Sequence, residues 1–155
     1  MRVEIPGYGK LDLRYLVLDY NGTVALDGIL KSEIRPLLER LSGDMQIHLV
    51  TSDTFGTASR EMEGTGAVVN LLEGDDHTGL KRELVESLGA EHTVAIGNGA
   101  NDSAMLKSAS LSIAIVGEEG CSMASLSVAD IAVTSITHAL ELLLNPRRLV
   151  ATLRR

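Results

Sequence analysis

The sequence predicts an α/β protein, with a mostly parallel sheet flanked by helices on both faces. Short apolar runs alternate with helical patterns of about ten residues, which implies βαβ units joined by right-handed crossovers. Several of these runs end abruptly in a polar or glycine-rich segment. Strands of an open α/β sheet present such groups to a crevice at their carboxyl ends. Internal repeats and low-complexity tracts are absent.

The elements follow in order. Val3–Ile5 and Leu11–Leu13 flank a Pro-Gly-Tyr-Gly turn and predict a small hairpin leading into a core strand at Tyr15–Leu18. Val24–Leu26 and Ile29–Lys31 surround Asp27-Gly28, a type I′ turn signal, so a small β-hairpin flap follows that strand. Ser32 is placed to cap a helix over Glu33–Leu41, with Leu37, Leu38 and Leu41 on one face and Gly43 as the stop. A strand over Met45–Val50, a helix over Phe55–Met62 and a strand over Ala67–Leu71 come next. Thr78 opens a helix that runs to Leu88 and ends at Gly89. Thr93–Ile96, Leu111–Val116 and Asp130–Val133 read as strands, and Asp102–Ser108, Ser122–Ser127 and Ile136–Leu144 as helices. Pro146 separates a short terminal helix from the last of these.

A chain of 155 residues buries one good core with little left for a second, so residues 1–155 are expected to form a single domain. Aromatic residues are 3% and Trp is absent, so the core must be built from Leu, Val, Ile, Ala and Met. No apolar run approaches the roughly 20 residues that a membrane span requires, and the N-terminus carries no signal-peptide pattern. The single cysteine, Cys121, cannot form an internal disulfide, which fits a reducing, cytoplasmic location. A formal net charge of −7 argues against nonspecific nucleic-acid binding. Arg147, Arg148, Arg154 and Arg155 are better read as charge near helix C-termini.

Four segments carry the chemistry. Asp19 ends the apolar run Leu16-Val17-Leu18, and Asn21-Gly22 supplies a sharp turn. As a bland feature Asp19 would cap backbone amides; as a nucleophile it could attack phosphorus and form an aspartyl-phosphate, splitting one displacement into two. Thr51 closes another strand, and Thr51-Ser52-Asp53 could equally be a helix cap. Lys81 lies near the start of an amphipathic helix, where a solvated lysine is the default and positive charge is mildly unfavourable. Gly97-Asn98-Gly99-Ala100-Asn101-Asp102 follows a buried strand, and its glycines permit close approach of a ligand to the backbone. A carboxylate, a hydroxyl, a lysine and a glycine-rich acidic loop, in this order, are the parts needed for phosphoryl transfer.

These segments resemble the motifs of the haloacid dehalogenase superfamily, and within it the phosphorylation domain of P-type ATPases. Asp19-Tyr20-Asn21-Gly22-Thr23 is similar to the pumps' Asp-Lys-Thr-Gly-Thr, Thr51-Ser52-Asp53 to their Thr-Gly-Asp, and Lys81 with Leu84 and Val85 to their lysine helix. Gly97 to Asp102, followed by Met105-Leu106, is similar to their Gly-Asp-Gly-x-Asn-Asp, and the likeness continues through Ser112-Ile113-Ala114 and Ala129-Asp130-Ile131. The resemblance implies a doubly wound, Rossmann-like sheet and a phosphorylated substrate. It implies catalytic roles for Asp19, Asn21, Thr51 and Lys81, and phosphate contacts from Asn21, Gly22, Thr51, Ser52 and Lys81. It also implies a Mg²⁺ ion held by Asp19, the Asn21 carbonyl, Asn98 and Asp102.

The spacing of the motifs excludes a cap. Only 27 residues separate Thr23 from Thr51, and 29 separate Thr51 from Lys81, enough for the predicted elements alone. The resemblance therefore implies a capless core without an ion pump's other domains, and capless relatives often close the site with a neighbouring subunit, which leaves both a monomer and a homo-oligomer open. Two positions depart from the family pattern. Asn21 stands where its phosphatases carry an acid/base aspartate, and an amide cannot exchange a proton at neutral pH. Asn98 stands where an aspartate usually binds magnesium, and brings an oxygen without charge. Slow hydrolysis or phosphotransfer is expected, with a catalytically weak regulatory protein on the same fold as the alternative.

Overall fold

A computed structural model of the chain describes residues 1–52 and 56–155. Strands β1 (Arg2–Ile5) and β2 (Gly9–Asp12) pair as an antiparallel hairpin that leads into β3 (Tyr15–Asp19). The flap β4 (Ala25–Leu26) and β5 (Ile29–Leu30) follows, then α1 (Arg35–Leu41), β6 (Gln46–Thr51), α2 (Ala58–Glu61) and β7 (Ala67–Leu71). The remainder runs α3 (His77–Leu88), β8 (Thr93–Gly97), α4 (Ser103–Ser108), β9 (Leu111–Ile115), α5 (Met123–Leu126), β10 (Ile131–Val133), α6 (Ile136–Leu144) and α7 (Pro146–Leu153). One-turn 3₁₀ helices precede β8 at Ala90–His92 and α4 at Ala100–Asp102.

The central sheet has six strands in the order β10-β9-β8-β3-β6-β7, all parallel. The chain winds outward twice from β3, once through β6 and β7 and once through β8, β9 and β10, which makes the sheet doubly wound. Period-two alternation divides β3 between two cores. Leu16 and Leu18 join the larger one with Ile47, Leu49, Ile96 and Leu140, whereas Val17 joins a smaller one with Val50, Val85, Ala95, Met105 and Leu106. The smaller core lies under α3 and α4. Among the described residues only the flap and α1 stand between β3 and β6, and only α2 between β6 and β7, so no cap domain is inserted.

The flap turn adopts the expected type I′ form, with Asp27 at φ 52° and Gly28 at φ 76°. Helix boundaries differ from the sequence expectation at two places. Ser32 does not cap α1, which begins at Arg35 with Pro36 in its first turn, where the missing amide costs nothing and the fixed φ suits a helix. Asp76, and not Thr78, opens α3: its side chain accepts a 2.8 Å hydrogen bond from the Gly79 amide. The start of the helix expected from Phe55, along with Asp53, lies outside the described residues, and α2 spans only Ala58–Glu61.

Candidate active site

Three charged side chains meet for reasons of periodicity. Asp19 is two residues beyond Val17, so it shares the face of β3 that looks toward α3 and α4. Lys81 precedes Val85 by four residues on α3, and Asp102 precedes Met105 by three at the entry to α4. Both therefore lie on the inward stripes of those helices. The Lys81 ammonium donates to Asp19 Oδ1 at 2.6 Å and to Asp102 Oδ1 at 2.7 Å. It is the opposite of a solvated lysine: the side chains of Lys81, Asp19 and Asp102 are 3%, 11% and 1% exposed.

One buried cation thus faces two buried carboxylates. Burial raises the pKa of Asp19, and the Asp102 charge raises it further; Lys81 and the Tyr20 amide oppose them, and the balance is pushed up to about 7. For Lys81, burial favours the neutral amine, but the two carboxylates outweigh it and raise its pKa above the usual value. The cluster keeps its lysine charged and carries surplus negative charge whenever Asp19 is ionised, a condition that favours a further cation.

The turn after β3 shapes the floor of the site. The Tyr20 carbonyl accepts from the amides of Thr23, Val24 and Ala25, and Gly22 adopts φ +75°. A Cβ at Gly22 would lie 2.5 Å from Asn98 Nδ2, so close packing of the two segments requires glycine. The Thr23 hydroxyl stands 3.3 Å from Asp19 Oδ2 and 3.2 Å from Asn98 Oδ1. A single hydroxyl proton cannot serve both oxygens fully, and Asn21 Oδ1 is buried without a partner. These hard oxygens fit a magnesium-type ion, which commonly takes one or two protein carboxylates and completes its shell with water and phosphate. Among the described residues there is no group of three or more His, Cys, Asp or Glu side chains that could hold a metal, so an ion here would depend on amide and backbone oxygens beside Asp19.

Asp102, the fourth ligand that the resemblance implies, is held by backbone amides and Lys81. Its Oδ2 accepts from the amides of Asn98 and Gly99 at 2.9 and 2.8 Å, while Oδ1 faces Lys81. Three donors occupy this carboxylate, which makes it a clamp between the glycine loop and α3. Asn98 has a second attachment: Nδ2 reaches the Gly120 carbonyl at 3.3 Å, and its own carbonyl accepts from the Ser122 amide at 2.8 Å. Lys31, just after the flap, bonds Glu118 at 3.0 Å and ties the flap to the same loop.

Asp19, Asn21, Thr51, Ser52, Lys81 and Asn98 line one cleft of about 250 Å³, while Gly22 and Asp102 lie beneath it in the supporting structure. His77, Gly99, Asn101 and Glu119 also line this cleft, and none of them was expected to hold a site role. His77 precedes Lys81 by four residues on one helix, a spacing that places both on one face. Glu119 follows β9, a strand end that the four-segment pattern passes over.

Fold and site together define a class: the fold is that of haloacid dehalogenase-type phosphatases, without a cap domain among the described residues. An uncharacterized protein of Methanocaldococcus jannaschii is 44% identical over 78 residues, which are 48% of this chain and 84% of that protein. A soluble P-type ATPase-like phosphatase of the same organism is 27% identical over 150 residues, covering 91% of this chain and 54% of the relative, so the chain spans about half of its length. Among solved structures, the 3-deoxy-D-manno-octulosonate 8-phosphate phosphatase of Moraxella catarrhalis, in complex with magnesium, phosphate and the sugar acid, superposes with a TM-score of 0.71 at 18% identity, covering 91% of this chain and 93% of that one. A cobalt-bound phosphatase of the same kind from Haemophilus influenzae gives a TM-score of 0.71 at 13% identity over 88% and 90% of the two chains. At such identities these structures speak for the fold alone. No protein-family model matches the chain. Among the described residues no helix is long and apolar enough to cross a membrane.

Proposed function

We propose that this chain is a magnesium-dependent phosphohydrolase that works through an aspartyl-phosphate on Asp19. The observation that carries the reading is the buried Asp19–Lys81–Asp102 cluster at the mouth of the central strands. A carboxylate at a strand end and an ammonium 2.6 Å away are what attack on a phosphate ester needs: a nucleophile, and a positive charge where negative charge gathers. The relative named as a phosphatase and the metal-containing neighbours support the same chemistry.

In this reading the Lys81 ammonium and the groups of Thr51 and Ser52 hold the phosphate oxygens against Asp19. An Asp19 oxygen bonds to phosphorus as the ester oxygen leaves, and water then releases phosphate from Asp19. Asp19, the Asn21 carbonyl and Asn98 would hold the metal ion, which when bound neutralises phosphate charge. Asp102 keeps the glycine loop and Lys81 in place. Asn21 can orient but cannot transfer a proton, so this position gives no acid/base help and hydrolysis is slow.

The test is release of p-nitrophenol from p-nitrophenyl phosphate by purified protein with and without magnesium, against an Asp19→Ala control. Magnesium-dependent release lost in the control is the expected result. Release that survives Asp19→Ala overturns the assignment, as does a beryllium fluoride adduct found on another residue.

A further inference from the structure

We propose that His77 is the proton donor and acceptor of this site, supplying the acid/base function that Asn21 cannot. The inference rests on the hydrolase reading above and extends it to a residue outside the four motif segments. Among the described residues, four titratable side chains line the cleft: Asp19, Lys81, His77 and Glu119. Asp19 is the nucleophile, and Lys81 is locked between two carboxylates that keep it protonated. Asn21, Thr51, Ser52, Asn98 and Asn101 exchange no proton near neutrality. His77 and Glu119 remain.

Position separates these two. His77 is half-buried at the first position of α3, one turn before Lys81 on the same face. Four residues advance a helix by about 6 Å, and helical side chains lean toward the N-terminus, so the Lys81 ammonium rises toward the level of His77. The imidazole lines the same cleft as the Asp19–Lys81 pair, one helical turn toward the start of α3. In an in-line displacement the leaving oxygen departs on the side of phosphorus away from Asp19, which is toward the cleft mouth. Among the described residues His77 forms no hydrogen bond or ion pair, and it lines the cleft. Glu119 is exposed on a loop, and its carboxylate would repel the phosphate that an imidazolium attracts. Imidazole is also the side chain suited both to give and to take a proton near neutral pH.

The protons balance over the two steps. As the Asp19–phosphorus bond forms, the phosphorus–ester oxygen bond breaks, its electron pair stays with the oxygen, and imidazolium protonates that oxygen to yield the alcohol. Neutral imidazole then takes one proton from water as the water oxygen bonds to phosphorus. The bond from Asp19 to phosphorus breaks, leaving hydrogen phosphate, the Asp19 carboxylate and imidazolium.

The experiment compares two esters that differ in their need for an acid. Glycerol phosphate releases a poor leaving group that must be protonated, whereas p-nitrophenyl phosphate releases a stable phenolate. Single-turnover rates are measured with magnesium for the wild type, His77→Gln and Glu119→Gln, and each variant's thermal melt checks folding. The expected result for His77→Gln is a loss of ~10²-fold or more on glycerol phosphate and within about threefold on p-nitrophenyl phosphate, following the usual worth of general acid catalysis. Equal losses on both esters, or a leaving-group-dependent loss in Glu119→Gln instead, overturn the role of His77. A wild type that releases phosphate from neither ester overturns the hydrolase reading itself. Introducing Asn21→Asp should raise glycerol phosphate hydrolysis by a larger factor in the His77→Gln protein than in the wild type, which a purely structural role for His77 would not allow.

Discussion

Lys81 and Asp102 form a 2.7 Å ion pair with hardly any solvent on either side chain, and this pair joins α3 to the glycine loop behind β8. An exposed pair of this kind adds at most about 1 kcal/mol. A buried pair behaves differently, because removing one partner strands the other charge without water.

Lys81→Met keeps the volume and deletes the charge, leaving Asp19 and Asp102 without their cation. The expected loss is about 3–5 kcal/mol of stability, the usual cost of breaking a buried pair. Denaturant unfolding at neutral pH checks it; a loss below about 1 kcal/mol would mean that water or another cation already screens the cluster.

Asp19→Asn should act in the opposite direction at alkaline pH. The folded-state pKa of Asp19 is raised from 3.8 to about 7 by burial and by Asp102. Between those values the native state holds a proton that the unfolded chain has released, so stability falls as pH rises through the window and stays low above it. The variant lacks that decline. In EDTA its melting temperature should gain on the wild type between pH 5 and pH 8. His48, whose pKa burial lowers, gives both proteins the same opposite slope and cancels from the comparison. Parallel melting curves would show that Asp19 is not desolvated in solution.

Gly97→Ala tests the clamp. The added Cβ would lie 2.5 Å from Asp102 Oδ2, and that carboxylate is pinned by three donors and cannot swing aside. The glycine loop or α4 must shift, at a cost of roughly 1–3 kcal/mol. The p-nitrophenyl phosphatase rate should fall with it, and a crystal structure of the variant should show Asp102 displaced from Lys81.

Asn21→Asp places a carboxylic acid where the family's phosphatases carry one. Hydrolysis of glycerol phosphate should accelerate, by less than the full ~10²–10⁴-fold of general acid–base catalysis, because His77 already supplies part of it. The new carboxylate also adds negative charge beside Asp19, so the gain should appear only at saturating magnesium. Single-turnover dephosphorylation that is unchanged or slower in the folded, metal-saturated variant would place the bottleneck elsewhere.

Much of this site could be read from the chain because its geometry obeys simple periods. Val17 and Asp19 share a strand face, and Lys81 and Val85 share a helix face, so their meeting needs only a parallel sheet with α3 on that side. The hydrogen-bond partners of Asp102 were less accessible. Its direction is set by a 3₁₀ turn at Ala100–Asp102, which folds the carboxylate back onto the Asn98 and Gly99 amides. Asp76 escaped notice because a cap is defined by the amide it receives, and Asp75 and Asp76 are alike in sequence. Glu119 required knowing that the loop after β9 bends over the cleft, where Asn98 Nδ2 donates to the Gly120 carbonyl and the Ser122 amide donates to the Asn98 carbonyl.

The outward winding from β3 divides the reactive groups between the two halves of the chain. Asp19, Thr51 and Ser52 precede the end of β7, while His77, Lys81, Asn98 and Asp102 all follow it. The cleft is the seam between two half-sheets: the first half carries Asp19, the proposed nucleophile, and the second carries its cation, Lys81. A nick between Leu72 and Asp76 would yield two inert fragments. Phosphate release would then report directly on their reunion along the β3–β8 edge.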